Sequence, residues 1–138
     1  MSTCVFCQIA QGTIPCFRIE EGKGFLTFLD ISPVNKGHCL IIPKLHYETL
    51  AGIPDSEIGM LLAAAKRAAK AMMASLGAEG YNILMSNHKA GGQVVMHAHI
   101  HVIPRFSGDG LSLWQGRPYQ EGEAASILSR ITEAIRNI

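Results

Sequence analysis

In the segment Met96-His97-Ala98-His99-Ile100-His101-Val102-Ile103-Pro104-Arg105, three of the chain's six histidines alternate with apolar residues. Successive side chains of a strand point to opposite faces. The spacing predicts one row of His97, His99 and His101, with Ala98, Ile100 and Val102 turned toward a core. Imidazole can ligate a metal, act as a nucleophile or carry protons near neutral pH. Row neighbours on a strand lie about 6.6–6.8 Å apart at the backbone. Two such rings can share one metal, whereas three from one flat strand fit a tetrahedral shell poorly. Three readings stand open: a histidine-rich surface strand, a catalytic zinc site, or a division of labour. In the last, one ring holds structural metal, one is a nucleophile and one stabilises charge on the substrate.

The preceding Asn87-His88-Lys89-Ala90-Gly91-Gly92-Gln93 favours the divided reading. Glycines let backbone N–H groups approach an anion and form a nest, and Asn87 and Gln93 add neutral donors. Such a loop suits a phosphate; a plain hairpin turn is the alternative. Cys4-Val5-Phe6-Cys7 is a C-x-x-C pair, able to hold zinc or run redox chemistry. The redox form usually opens a helix after a strand, and no such strand is read ahead of Cys4. Zinc is the better reading if two more ligands exist elsewhere; buried thiols are the alternative.

These groups need a frame. Residues 4–11 read as a short helix ended by Gly12. Residues 16–20 and 25–29 read as strands joined by a Glu21-Gly22-Lys23-Gly24 turn, with a loop over 30–37. His38–Ile42 is a third strand, closed by Pro43. Ile58, Leu61, Leu62, Ala65, Ala69, Met72 and Leu76 follow helical spacing, with Asp55 and Glu57 in the first turn and Gly77 as the stop. Residues 81–86 form a strand ahead of the histidine strand, 106–120 are irregular, and 123–137 form a last helix. The pattern predicts an α+β fold with a mostly antiparallel sheet of about five strands, one long helix and a C-terminal helix. The expected organisation is a single domain over 1–138, with a core about 4–105 and a C-terminal segment 106–138.

The 138 residues carry a net charge of +1 and are 48% apolar, so no broad attraction to nucleic acid or anionic membrane is expected. Met1-Ser2-Thr3-Cys4 has no basic stretch or apolar run, so neither a signal peptide nor a membrane span is expected. The cytoplasm is the expected location, where a disulfide framework from Cys4, Cys7, Cys16 and Cys39 is not.

Gly92-Gln93-Val94-Val95-Met96-His97-Ala98-His99-Ile100-His101-Val102-Ile103 resembles the signature of the histidine triad (HIT) superfamily of nucleotide hydrolases and transferases. Cys4-Val5-Phe6-Cys7-Gln8-Ile9, Phe28-Leu29-Asp30-Ile31-Ser32-Pro33 and the run Lys36 to His46 are similar to further family segments, in the same order. The resemblance spans roughly residues 4–120 and points to the bacterial zinc-containing, Hint-like branch. It implies that His99 attacks the α-phosphorus and forms a transient nucleotidyl-histidine that water hydrolyses. One nitrogen of His99 must keep a lone pair while the other donates to a backbone carbonyl. His101 is then expected on the phosphoryl oxygens, Gln93 and Gly92 on the phosphate and leaving group, and Asn87 on the phosphate side. Asp30 is expected to accept from both ribose hydroxyls, and Val5, Phe6, Ile9, Phe28 and Ile31 to line the base pocket, with core packing as the alternative for each.

The same resemblance implies a closed, structural zinc site of Cys4, Cys7, His46 and His97. His38 is expected to be a structural histidine in the sheet, His88 a loop residue, and Cys16 and Cys39 packing residues. Val94 departs from the family, where many members carry a hydroxyl at that position facing the scissile bond. Trp114 is expected to be a dimer contact, a substrate contact or a hydrophobic plug. The implied function is a homodimeric hydrolase acting at the α-phosphate of AMP- or GMP-type nucleotides: phosphoramidates, aminoacyl adenylates or dinucleoside polyphosphates. The alternatives are a non-catalytic nucleotide-binding or regulatory dimer, and catalytic zinc in the histidine row.

Overall fold

The computed structural model describes residues 3–138; Met1 and Ser2, part of the leader reading above, lie outside them. Five strands, β1 (Arg18–Glu21), β2 (Phe25–Leu29), β3 (Cys39–Pro43), β4 (Gly80–Leu84) and β5 (Ile100–Arg105), form one sheet in the order β1-β2-β3-β5-β4. Every pairing is antiparallel, as expected for the predicted α+β architecture. Helix α1 (Val5–Ala10) packs on one face, α2 (Asp55–Ser75) on the other, and α3 (Glu123–Ile135) follows the irregular C-terminal segment.

Strand alternation sorts the core into two layers. Phe25, Cys39, Ile41, Ile100 and Val102 face α2, where Ala64, Ala65, Ala68 and Ala69 let helix and sheet approach closely. Leu26, Phe28, Leu40 and Ile42 face α1 and its Phe6 and Ile9. Helix α2 differs from its periodicity at two places. Leu62 and Leu76 turn outward, at 54% and 46% exposure, while Ala64 and Ala68 occupy the buried stripe. Small residues win those positions because the sheet leaves little room beside the helix.

The histidine strand also starts later than its pattern predicts. Its ladder begins at Ile100, paired to Ile41, and runs through Leu40↔His101 and Cys39↔Val102. Extending that register would set Ala98 opposite Pro43, which has no N–H to give. Instead the Ala98 N–H donates to the Tyr47 carbonyl at 2.6 Å, and the Pro43 carbonyl meets the His97 ring. The alternation survives without the ladder: Ala98 stays in the α2 layer, and His97 and His99 both contact Phe6 on the other side.

Candidate active site

The register row Phe28–Leu40–His101 crosses β2, β3 and β5 on the α1 face and forms the floor of a cavity of about 590 Å³. Val5, Phe6 and Ile9 of α1, followed by Ile14, Pro15 and Cys16, build one wall. Asp30, Ile31 and Ser32 build a second, and Gly92, Val94 and Val95 lie beside His99 and His101. The expected base-pocket residues are thus assembled around the histidines. Ile31 and Val94 lie on the open side, 88% and 90% exposed.

His99 is 6% exposed, and its Nδ1 lies 2.7 Å from the His97 carbonyl. A carbonyl only accepts, so Nδ1 carries a proton, and in the neutral ring Nε2 keeps the lone pair. Phe6 stacks edge-on against the ring at 5.1 Å between centroids and restricts its tilt. His101 is held from behind. The Val34 N–H donates to His38 Nδ1 at 3.1 Å, which puts the His38 proton on Nε2. His38 Nε2 then donates to His101 Nδ1 at 2.9 Å, leaving the His101 proton on Nε2. Burial first, then the nearby His99 and His38, push the His101 pKa from 6.5 down to about 4. Burial also lowers His38, against the opposing Asp30 carboxylate 3.6 Å away. His101 is therefore a neutral ring with a fixed donor.

His38 was expected only as a sheet residue. Its pairing with His101 arises because the chain enters β3 with His38, Leu40 and Ile42 on one face, and Leu40 pairs with His101. That alternation was available in the sequence; the partner strand was not. Cys16 likewise lines the cavity rather than serving only as packing.

The 87–93 loop is closed by its own hydrogen bonds. Its amides turn inward: Gly91 N–H and Gln93 N–H donate to the His88 carbonyl, and Gly92 N–H donates to the Lys89 carbonyl. These three N–H groups are occupied within the loop. The buried Gln93 amide accepts from His88 N–H at 2.8 Å and donates to the Glu48 and Val95 carbonyls. Asn87 accepts from Leu50 N–H and donates to the Met85 carbonyl. Neither side chain is among the residues that line the cavity. Both amides instead fasten the loop to the 47–50 segment. Gly92 does line the cavity, in a left-handed conformation with φ of 92°. His88, at φ 63°, is a loop residue as expected.

A second assembly lies behind Phe6. Cys4, Cys7, His46 and His97 bring four ligand atoms within 4.8 Å of one another. Cys4 Sγ and Cys7 Sγ lie 3.4 and 3.5 Å from His97 Nδ1, Cys7 Sγ lies 3.3 Å from His46 Nδ1, and the two Nδ1 atoms are 3.2 Å apart. A tetrahedral zinc with ordinary bond lengths has N···S edges of about 3.5 Å and an N···N edge of about 3.3 Å. The donor set therefore fits the ion. His97 Nε2 donates to the Pro43 carbonyl at 2.8 Å, which leaves the Nδ1 lone pair for a metal. These four residues could hold a metal ion, and His97 is turned away from His101 in doing so. Asp30, His38 and His101 also converge within 4.8 Å, but their nitrogens are committed to the hydrogen bond between the rings.

Trp114 is 88% exposed and lies apart from this cavity, beside Val34, Ile83, Arg105 and Leu113. It is not a plug, and it does not reach the site of its own chain.

Residues 11–108 match the HIT domain family model. The chain is 44% identical over 107 residues to an uncharacterized HIT-like protein of Methanocaldococcus jannaschii, covering 78% of this chain and 82% of that one. It is 35% identical over 136 residues to the adenosine 5'-monophosphoramidase of Schizosaccharomyces pombe, covering 97% and 99%. An adenylylsulfatase of Arabidopsis thaliana is 42% identical over 111 residues; the match takes 80% of this chain but only 55% of that protein. Among solved structures, a HIT family member from Bacillus subtilis superposes with a TM-score of 0.88 at 34% identity, covering 96% of each chain. A zinc-bound histidine triad family protein from Mycobacterium smegmatis gives 0.77 at 38% identity, covering 96% and 97%.

Proposed function

The chain belongs to the HIT family, and from that membership we propose that it hydrolyses purine nucleotides at the α-phosphate through a nucleotidyl group carried on His99. The observation that carries this reading is the 2.7 Å hydrogen bond from His99 Nδ1 to the His97 carbonyl. It selects, for the neutral ring, the tautomer whose lone pair is on Nε2, at the border of an apolar cavity, as a nucleophile requires. The names of the relatives, an adenosine 5'-monophosphoramidase and an adenylylsulfatase, support an AMP-type nucleotide as substrate.

In this reading the base lies against Phe6, Phe28 and Ile31, and Asp30 receives the ribose hydroxyls. His101 donates from Nε2 to a phosphoryl oxygen, a preorganised donor where charge grows. Gln93 and Asn87 act by holding the loop that carries Gly92. Zinc on Cys4, Cys7, His46 and His97 is structural: four protein ligands leave no open position for substrate. It ties α1 to the sheet. Two chains form a homodimer, for which the edge strand β4 and the exposed apolar residues of the C-terminal segment are the support. No helix among the described residues is long and apolar enough to cross a membrane.

The test is mass spectrometry of the protein mixed with adenosine and guanosine substrates. Nucleotide covalently attached to His99 is expected. His99→Ala should abolish turnover, by about 10⁴-fold or more, while AMP still binds. Full activity in that variant overturns the mechanism. Tight AMP binding with no turnover on any substrate would favour the non-catalytic reading.

A further inference from the structure

We infer that Tyr47 is a positioning residue for the nucleophile: its backbone carbonyl sets the plane of the peptide that holds the His99 ring. The inference rests on the function proposed above and adds to it a residue outside the cavity. His97, Ala98 and His99 lie ahead of the β5 ladder, which begins at Ile100. The pairing that orients the rest of the strand does not reach them.

The His97 carbonyl and the Ala98 N–H are the two ends of one peptide unit, which is planar. At one end the carbonyl accepts from His99 Nδ1 at 2.7 Å. At the other the N–H donates to the Tyr47 carbonyl at 2.6 Å. Turning the plane moves both ends together, so the bond to Tyr47 fixes where the His97 carbonyl points. Ala98 is fully buried, and its N–H needs this acceptor. The two bonds also lie in series, and such bonds polarise one another by about 10–30% each. The sense of that polarisation makes the His97 carbonyl a better acceptor and leaves the His99 Nε2 lone pair more available to phosphorus.

Tyr47 belongs to no helix or strand, so its carbonyl must be anchored from elsewhere. Its side chain does this. The ring packs against the α2 layer, and the hydroxyl donates to Glu57 in the first turn of α2 at 3.1 Å. The neighbours on either side are held as well. His46 Nδ1 lies 3.2 Å from His97 Nδ1, and the Glu48 carbonyl accepts from the Gln93 amide at 2.6 Å. Tyr47 is not among the residues that line the cavity, so changing its side chain takes no contact from a nucleotide there.

The experiment mixes the intact protein with adenosine 5'-phosphoramidate and follows nucleotide on His99 by quenched-flow mass spectrometry. AMP affinity by calorimetry and amide exchange by NMR are measured beside it, for wild type, Tyr47→Phe, Tyr47→Leu and Tyr47→Ala. Tyr47→Phe keeps the ring in the α2 layer and should label close to the wild-type rate. Tyr47→Ala should label about thirtyfold more slowly, within what a misplacement of about 1 Å costs, with AMP affinity unchanged. Its Ala98 amide should exchange at least about tenfold faster, while the Val102 amide inside the ladder exchanges as before. Tyr47→Leu should fall between the two, and it carries the same test if Tyr47→Ala does not fold. The inference is overturned by a wild-type labelling rate in Tyr47→Leu and Tyr47→Ala, by rate and AMP affinity falling in equal proportion, or by an Ala98 amide that exchanges as in wild type. Nucleotide absent from His99 in wild type overturns the proposed function and the inference with it; the other outcomes leave that function standing.

Discussion

At His101 the charge state follows from what surrounds the ring. Burial lowers its pKa to about 4 and also lowers that of His38, so both rings are neutral near pH 7. In an unfolded chain the same imidazoles would titrate near 6.5. Between about pH 4 and 6.5 the unfolded state therefore binds more protons, and stability rises with pH across that window. The contribution is complete above about 6.5 and is lost as the pH falls toward 4. The Asp30 carboxylate faces the pair and opposes the loss without reversing the direction of either shift. Thermal melts should give a lower Tm at about pH 5 than at about pH 7.5, and a constant or rising Tm on acidification would contradict the buried neutral pair. Thr27 makes a separate residue-scale case. Its Oγ1 is buried with no hydrogen-bond partner among the described residues. Thr27→Val removes that unsatisfied hydroxyl and should be neutral or stabilising by up to about 1 kcal/mol in denaturant unfolding.

Among the elements, α1 is the one that cannot stand alone. Six residues are far too few for an independent helix. Phe6 and Ile9 give it an apolar anchor, and Cys4 and Cys7 meet His46 and His97 at its N-terminal end. Phe6, between the two cysteines, touches His97, His99 and Phe28, so the cysteine–histidine cluster and the cavity share one ring. Cys4→Ala, or a strong chelator, should lower Tm by about 5 °C or more, the scale of roughly 1–2 kcal/mol. It should also weaken AMP binding, because α1 supplies one cavity wall. Metal content, melting and calorimetric titration with AMP read these effects separately. Unchanged AMP affinity in the metal-free protein would show that α1 keeps its position through apolar packing alone. That outcome would not touch the role of His99.

For the whole molecule, exposed apolar side chains occur along the chain and are densest in its C-terminal segment. No residue of α3 is buried, and Leu128, Ile131 and Ile135 are 63%, 54% and 63% exposed. A 13-residue helix is marginal in water without a packed face. The proposed homodimer supplies one, and it also accounts for Leu113 and Trp114 beside the edge strand β4. Sedimentation velocity should give a dimer for the intact chain. The double change Leu128→Glu and Ile131→Glu should weaken it by about tenfold or more, since it buries two charges in an apolar contact. A monomer at every concentration tested would remove this explanation of the C-terminal segment.

The sequence alone determined the repeating features. Alternation fixed which faces the histidines and their apolar neighbours take, and that outcome survived even where the β5 ladder does not extend. Helical periodicity located α2, and the order of motifs carried the family. Local spacing reaches no further than an element. Cys4 and His97 lie far apart in the chain, and their meeting depends on α1 docking over the end of β3. His38 finds His101 only through the β3–β5 register, which one residue of slip would reverse. Gln93 and Asn87 read as polar loop residues in the sequence, but their protein partners were not legible there. Only the tertiary structure ties them to the 47–50 segment, and the Gln93 amide, being buried, must be satisfied where it lies.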